Sequence, residues 1–187
     1  MAVGWAIILA VGLQRMAELA VAGRNARWAK AQGGYEVGRR HYPLLVAVHL
    51  LWFAGMAGEV VAGATPPAWW PLPATLFLLA QILRYWCLRS LGPYWNTRIW
   101  VIPGREPVMR GPYRLSRHPN YLAVIVEILT LPLALGAFWT SAAASLLNWL
   151  VLFGVRIPAE ERALSTATGY EGKMGEKSRL LPFPKRG

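Results

Sequence analysis

The amino-acid sequence predicts an all-α integral membrane protein with about five transmembrane helices. Three observations predict it. Of the 187 residues, 55% are hydrophobic and the mean hydropathy is +0.32, yet the formal net charge is +11. A basic protein in water is normally polar, so these figures agree only if charge and apolar residues are segregated along the chain. They are segregated: the apolar residues fall into five segments, and the basic residues fall into alternate connections between them. The chain reads as one domain over 1–187, because its longest stretch between apolar segments, roughly 84–120, is too short to fold alone.

The first segment runs from Val3 to about Val21 and is interrupted by Gln14, Arg15 and Glu18. Ala20-Val21-Ala22 resembles a signal-peptide cleavage site, but no basic residue precedes the segment and two charges interrupt its end, so a retained helix is expected. The second segment, Tyr42 to Val61, contains His49 and Glu59. The third runs from Trp69 to Leu83 and continues past Arg84 as Tyr85–Leu88. The fourth, Tyr121 to Leu135, contains Glu127. The fifth, Phe138 to Val155, has Asn148 as its strongest polar residue and ends at Arg156. A bilayer core needs roughly 20 apolar residues per helix. The second and fifth segments meet that requirement, and the others meet it if their polar groups face a protein interior.

The connections 22–41, 62–68, 84–120 and 136–137 and the tail 156–187 carry net charges of +4, 0, +6, 0 and +3. By the positive-inside rule this alternation puts the N-terminus outside and the C-terminus in the cytoplasm. The excess charge then serves orientation and contact with anionic headgroups, and no nucleic-acid partner is expected. All nine acids are Glu, which excludes aspartyl dyads and Asp-based Mg²⁺ sites. The single Cys87 excludes a disulfide framework, and with three His it makes no zinc ligand set, so no metal is expected. No internal repeat points to a transporter of duplicated halves, and no G-x-G-x-x-G points to a nucleotide-binding domain.

The segment that carries chemistry is Gly111-Pro112-Tyr113-Arg114-Leu115-Ser116-Arg117-His118-Pro119-Asn120-Tyr121. Gly-Pro is a turn signal, and Pro119 suits the start of a helix, which puts His118 at a helix N-terminus that favours anions. His118 and Tyr121 share a helix edge. A second cluster is Arg156-Ile157-Pro158-Ala159-Glu160-Glu161. Arg156 and Glu160 pair if the helix continues through Pro158; otherwise Pro158 opens a new helix with both Glu in its first turn. Arg84 interrupts an apolar run and either snorkels to the surface or does chemistry. Glu127, inside the fourth span and on one face with Asn120, is costly unless paired or protonated. Arg15 and Asn148 are its candidate packing partners.

The two motifs together, G-P-Y-R-x-x-R-H-P-x-Y and R-I-x-x-E-E-x-x-L, resemble the isoprenylcysteine carboxyl methyltransferase family and its phospholipid-methyltransferase relatives. The similar region runs from about Gln81 to Tyr170. A narrower resemblance, in Arg15-x-x-Glu18-Leu19, His41-Tyr42-Pro43, Arg84-Tyr85-Trp86-Cys87, Trp95-Asn96-Thr97-Arg98 and Glu127-Ile128, is to a small bacterial branch associated with type III polyketide synthases. That branch is thought to methylate hydroxyl groups of alkylresorcinols or alkylpyrones. The resemblance implies a cytoplasmic S-adenosylmethionine site built from the third loop, helix ends and the tail. It places Arg117, His118, Pro119 and Tyr121, with Glu160 and Glu161, at the cofactor, and Arg84 and Arg156 close to the reacting groups. Ala123 stands where the family often has Gly, and Met174 where another Tyr is expected.

The residue chemistry is compatible with this. Arg and helix N-terminal amides suit the cofactor's carboxylate, Glu suits its ammonium or ribose hydroxyls, and aromatic faces suit a sulfonium. A carboxylate acceptor needs no base. A phenol, with a pKa of about 10, gains from a base such as His118 or Glu127, or from a nearby cation such as Arg84 or Arg156. Arg84, Arg156 and Glu127 are therefore the candidate catalytic residues. The expected acceptor is a phenolic or pyrone polyketide lipid entering from the bilayer, in preference to a prenylated cysteine, which bacteria generally lack. A carrier using Glu127 and Glu59 as relay groups is the alternative from another class.

Overall fold

The computed structural model describes residues 2–181. It contains helices α1 (Ala2–Ala31), α2 (Tyr42–Val61), α3 (Pro71–Leu91), α4 (Pro119–Leu135), α5 (Phe138–Val151), α6 (Ile157–Ala167) and the short α7 (Tyr170–Met174). Two short strands, β1 (Tyr35–Val37) and β2 (Ile99–Val101), pair antiparallel with Glu36 opposite Trp100.

The protein is mostly helical, as the hydropathy pattern requires. Four helices are long and apolar enough to cross a membrane: Ala2–Ala31, Tyr42–Val61, Pro71–Tyr94 and Phe138–Ala167. The fourth of the expected spans, α4, is apolar but only 17 residues long. At about 1.5 Å per residue it reaches about 25 Å, against a hydrocarbon core of about 30 Å. Its position explains the short length. It packs against α3, α5 and α2 and is buried along most of its sequence, so its neighbours meet the lipid instead. Leu9 and Leu13 on α1, Leu50 on α2, Leu78 and Ile82 on α3 and Leu146 on α5 are exposed. Such an apolar belt suits a bilayer and not water.

Helix α4 carries Pro132 in its interior. Proline lacks the N–H that would bond the carbonyl four residues earlier, here that of Ile128. The buried Trp52 of α2 donates its indole N–H to that carbonyl at 3.0 Å. The helix therefore keeps a proline at little cost, and α2 is locked to α4. Trp52→Phe is expected to lower stability by about 1–3 kcal/mol through the orphaned carbonyl, read as a fall in midpoint by thermal unfolding in detergent.

Gly136 ends α4 in the left-handed conformation, at φ 79°. A Cβ there would collide with the Thr65 carbonyl of the α2–α3 connection. The two uncharged connections thus meet at one end of the bundle, where Trp69 and Phe138 also pack. At that end Glu59 accepts hydrogen bonds from the Thr140 amide (2.7 Å) and hydroxyl (2.5 Å) and caps α5. The charged connections gather at the opposite end.

Two local features were not expected from the sequence. The first half of the connection 22–41 is helical, because α1 runs on to Ala31. It also contributes β1, which pairs with β2 of the third connection and is reinforced by Arg98–Glu36 at 2.5 Å. Strands this short carry no readable alternation.

Candidate active site

The third connection is pinned across the charged end of the bundle. Asn25 of α1 donates to the Trp95 carbonyl at 2.7 Å, and Asn96 donates to the Ala22 carbonyl at 2.9 Å. Arg98 lies over the Tyr42 ring, 4.0 Å from its centre. The chain then makes a 3-10 turn at Gly111–Arg114 and enters α4 with Pro119 in the first turn and His118 just before it.

The tail crosses this entry. The main-chain N–H groups of Arg117 and His118 donate to the carbonyls of Ser178 (3.0 Å) and Arg179 (2.8 Å). Glu161 of α6 holds the arrangement together. Its carboxylate meets Arg117 at 3.0 Å, His118 Nε2 at 3.1 Å and Arg179 at 2.7 Å. A carboxylate accepts, so Nε2 of His118 is the donor and carries its hydrogen there. The His118 ring stacks on Tyr121.

Between α5 and α6 the helix does not break. It widens into a π turn over Leu152–Arg156 and continues, with Pro158 in the first turn of α6. This settles the two readings of Pro158 in favour of a continuing helix. The π turn places Arg156, only 3% exposed, among three partners. Its Nε donates to the Tyr121 hydroxyl at 2.8 Å, an Nη donates to the Thr97 carbonyl at 3.0 Å, and Glu160 lies 3.9 Å away. Tyr121 in turn donates to Glu160.

A second polar layer lies deeper in the bundle. Arg84 is 5% exposed, so it does not snorkel. It grips Glu127 with two donors, Nε at 2.6 Å and a shorter contact from an Nη. Gln81 donates to Glu127 at 2.8 Å and Arg15 at 3.3 Å. Arg15 also pairs with Glu18 at 2.6 Å, and Arg84 reaches Glu18 at 3.4 Å. Of the two packing partners expected for Glu127, Arg15 is the one in contact. Two cations and two anions form a closed, neutral network, which is how ionisable groups are tolerated at membrane depth.

One cavity of about 720 Å³ joins the two layers. Arg117, His118, Tyr121, Arg156 and Glu160 line its upper part, and Arg15, Glu18 and Arg84 line its lower part. Asn120, Trp95, Trp100, Tyr170 and Met174 also face it. Several buried polar atoms on this wall lack a partner among the described residues: Arg117 Nε, Asn120 Oδ1, Arg156 Nη1, the Tyr170 hydroxyl and the indole N–H groups of Trp95 and Trp100. Buried polar groups are normally satisfied, so this collection points to a polar ligand. Burial raises the pKa of the Tyr113 phenol well above its ordinary value and that of Tyr170 likewise, so both stay neutral donors. Met174, standing where another Tyr is expected, is buried beside Tyr170, Tyr113 and Cys87.

The structure brings Arg117, His118, Tyr121, Arg156, Glu160 and Arg84 to one cavity. Pro119, Glu161 and Glu127 stand behind its lining and hold residues that face it. Sequence reasoning missed Gln81, Trp95, Trp100 and Tyr170. Gln81 with Arg84, and Arg15 with Glu18, each three apart inside an apolar run, were a usable signal for the deep network.

Residues 73–166, half of the chain, match the model of the isoprenylcysteine carboxyl methyltransferase (ICMT) family. The "Uncharacterized protein YpbQ" of Bacillus subtilis (strain 168) is 46% identical over 161 residues, covering 86% of this chain and 95% of the relative. An "Uncharacterized protein" of Haemophilus influenzae is 26% identical over 163 residues, covering 86% and 92%. The matched region contains Arg84, the His118–Tyr121 entry, Glu127, the π turn and Glu160–Glu161, which form the two polar layers. The chain therefore belongs to the isoprenylcysteine carboxyl methyltransferase family and is an integral membrane methyltransferase.

Proposed function

We propose that the protein transfers a methyl group from S-adenosylmethionine to a hydroxyl oxygen of an amphiphilic lipid, with a phenolic or pyrone polyketide lipid as the favoured acceptor. The observation that carries this is the single cavity. Its upper wall is polar, while its lower wall includes Met16 and Leu19 of α1 and Val46 and Leu50 of α2, which are also exposed on the lipid-facing surface. An acceptor with an apolar tail and a polar head suits such a space. The basic connections gather at the cavity's polar end, and the positive-inside rule then makes that end cytoplasmic. An inner-membrane location, N-terminus outside, is part of this proposal.

The unpartnered groups fit the cofactor's chemistry. Arg117 Nε suits its carboxylate; Asn120 Oδ1 and Glu160 suit its ammonium and ribose hydroxyls; the faces of Tyr121 and Tyr170 suit a sulfonium. When bound, the cofactor supplies a methyl group on a cationic sulfur that leaves as a neutral thioether. The protein's part is alignment and charge. Glu161 orients Arg117 and His118, and the tail covers them. Arg156, with Nη1 free, stabilises charge on the acceptor oxygen. Arg84 completes the floor, and Glu127 acts through it by fixing its guanidinium.

The carrier alternative loses its relay groups, since Glu59 caps α5 and Glu127 is held by Arg84. Isothermal calorimetry should detect S-adenosylmethionine binding by the purified protein, and Glu161→Ala should weaken it at least tenfold by releasing Arg117, His118 and Arg179. Absence of binding by the wild-type protein overturns the cofactor assignment. Transfer of labelled methyl to an alkylresorcinol tests the acceptor class.

A further inference from the structure

A phenolic hydroxyl is a poor nucleophile until its proton is removed, so the reading above requires a base. The obvious groups are already engaged. His118 belongs to the upper, cofactor-facing layer, where its Nε2 is tied to Glu161 and its ring is stacked on Tyr121, and His41 lies outside the cavity lining. Glu127 is gripped by two Arg84 donors, Glu18 is held by Arg15, and Glu160 accepts from Tyr121.

The third histidine differs. His49, on α2, lines the cavity. Its Nδ1 lies 2.8 Å from the main-chain carbonyl of Leu45, one turn earlier. A carbonyl only accepts, so Nδ1 carries the hydrogen, and the neutral ring presents a bare lone pair at Nε2. Nε2 makes no hydrogen bond among the described residues. Trp52 packs edge-on against the ring and limits its rotation. His49 lies at a similar depth to Arg84 and Glu127, each seven or eight residues, about 10–12 Å, along its helix from the polar end. The charged groups that act on it are Arg15 of α1, Arg84 of α3 and Glu127 of α4. The two cations favour an anion beside the ring, while Glu127 is occupied by its bond to Arg84. Leu45, Val46, Leu50 and Phe53 make the surrounding wall apolar.

We propose that His49 is the general base that takes the proton from the acceptor hydroxyl. This rests on the hydroxyl-acceptor reading. The O–H bond breaks and an Nε2–H bond forms. The electron pair stays on oxygen, which bonds to the methyl carbon of the sulfonium donor as the carbon–sulfur bond breaks toward sulfur. The imidazolium then returns its proton to water through the cavity.

The test compares the wild-type protein with His49→Gln and His49→Ala on two amphiphiles of matched chain length, an alkylresorcinol and a more acidic long-chain nitrophenol. Transfer to the resorcinol should fall about 10²–10⁴-fold in both variants, while transfer to the largely ionised nitrophenol falls less than about tenfold. A second readout needs no cofactor: the phenolate absorbance of the nitrophenol, below its own pKa, should rise on binding the wild-type protein and rise less with His49→Gln. Equal losses on both acceptors, undiminished resorcinol methylation, or identical absorbance changes overturn the role of His49 alone. A wild-type protein that binds cofactor but methylates neither phenol overturns the hydroxyl reading and His49's role with it.

Discussion

Replacing Arg84 by Met should lower the stability of the purified protein by about 3–5 kcal/mol, the cost of leaving a buried partner unpaired. Arg84 is the hub of the deep layer. It satisfies Glu127 with two donors and reaches Glu18, and both carboxylates are on helices that pack around it. Without it, Glu127 retains Gln81 and the longer contact to Arg15, which cannot replace a two-point guanidinium grip. Glu127→Gln removes the opposite charge and should cost less, because its amide still accepts from Gln81 and Arg15. The double replacement should recover part of the loss, giving a coupling energy that neither single change predicts. Reversible unfolding in mixed micelles measures all three. Glu127→Gln should also leave cofactor binding intact and slow methyl transfer, since it loosens Arg84 without touching the upper wall. Unchanged transfer would remove Glu127 from the mechanism.

Arg156→Lys should reduce kcat by about 10²–10³-fold, the loss typical of one preorganised donor at developing charge. The π turn fixes this guanidinium by bonds to Tyr121 and the Thr97 carbonyl, leaving Nη1 buried and free. A lysine keeps the charge but cannot span those positions from one atom. Cofactor affinity should change far less than kcat, because Arg117 and Asn120 remain in place. Calorimetry with single-turnover kinetics separates the two effects. Equal losses in affinity and rate would mean that Arg156 serves ground-state binding.

Much of this was legible before the fold was known. Segregation of charge and apolar residues predicted the helical membrane architecture, and the R-H-P-x-Y and E-E elements predicted which residues gather at one end. They do so because Glu161 and the tail are complementary to Arg117 and His118. The unpaired look of Glu127 within its own span was resolved by Arg84 and Gln81 of another helix, a contact that no single helical period contains. His49 was invisible as chemistry for the same reason. A histidine in an apolar helix reads as packing until the Leu45 carbonyl fixes its tautomer and the cavity opens beside it. The shortness of α4 was legible in its segment, Tyr121 to Leu135, but not the packing of other helices around it that makes that length tolerable.

The central claim is hydroxyl methylation of an amphiphilic lipid. Its most direct test reconstitutes the protein in vesicles with methyl-labelled S-adenosylmethionine and equal amounts of an alkylresorcinol and a farnesylated cysteine, and identifies the labelled product by mass spectrometry. The account predicts label on a resorcinol oxygen. Label found solely on the carboxylate of the farnesylated cysteine would contradict it.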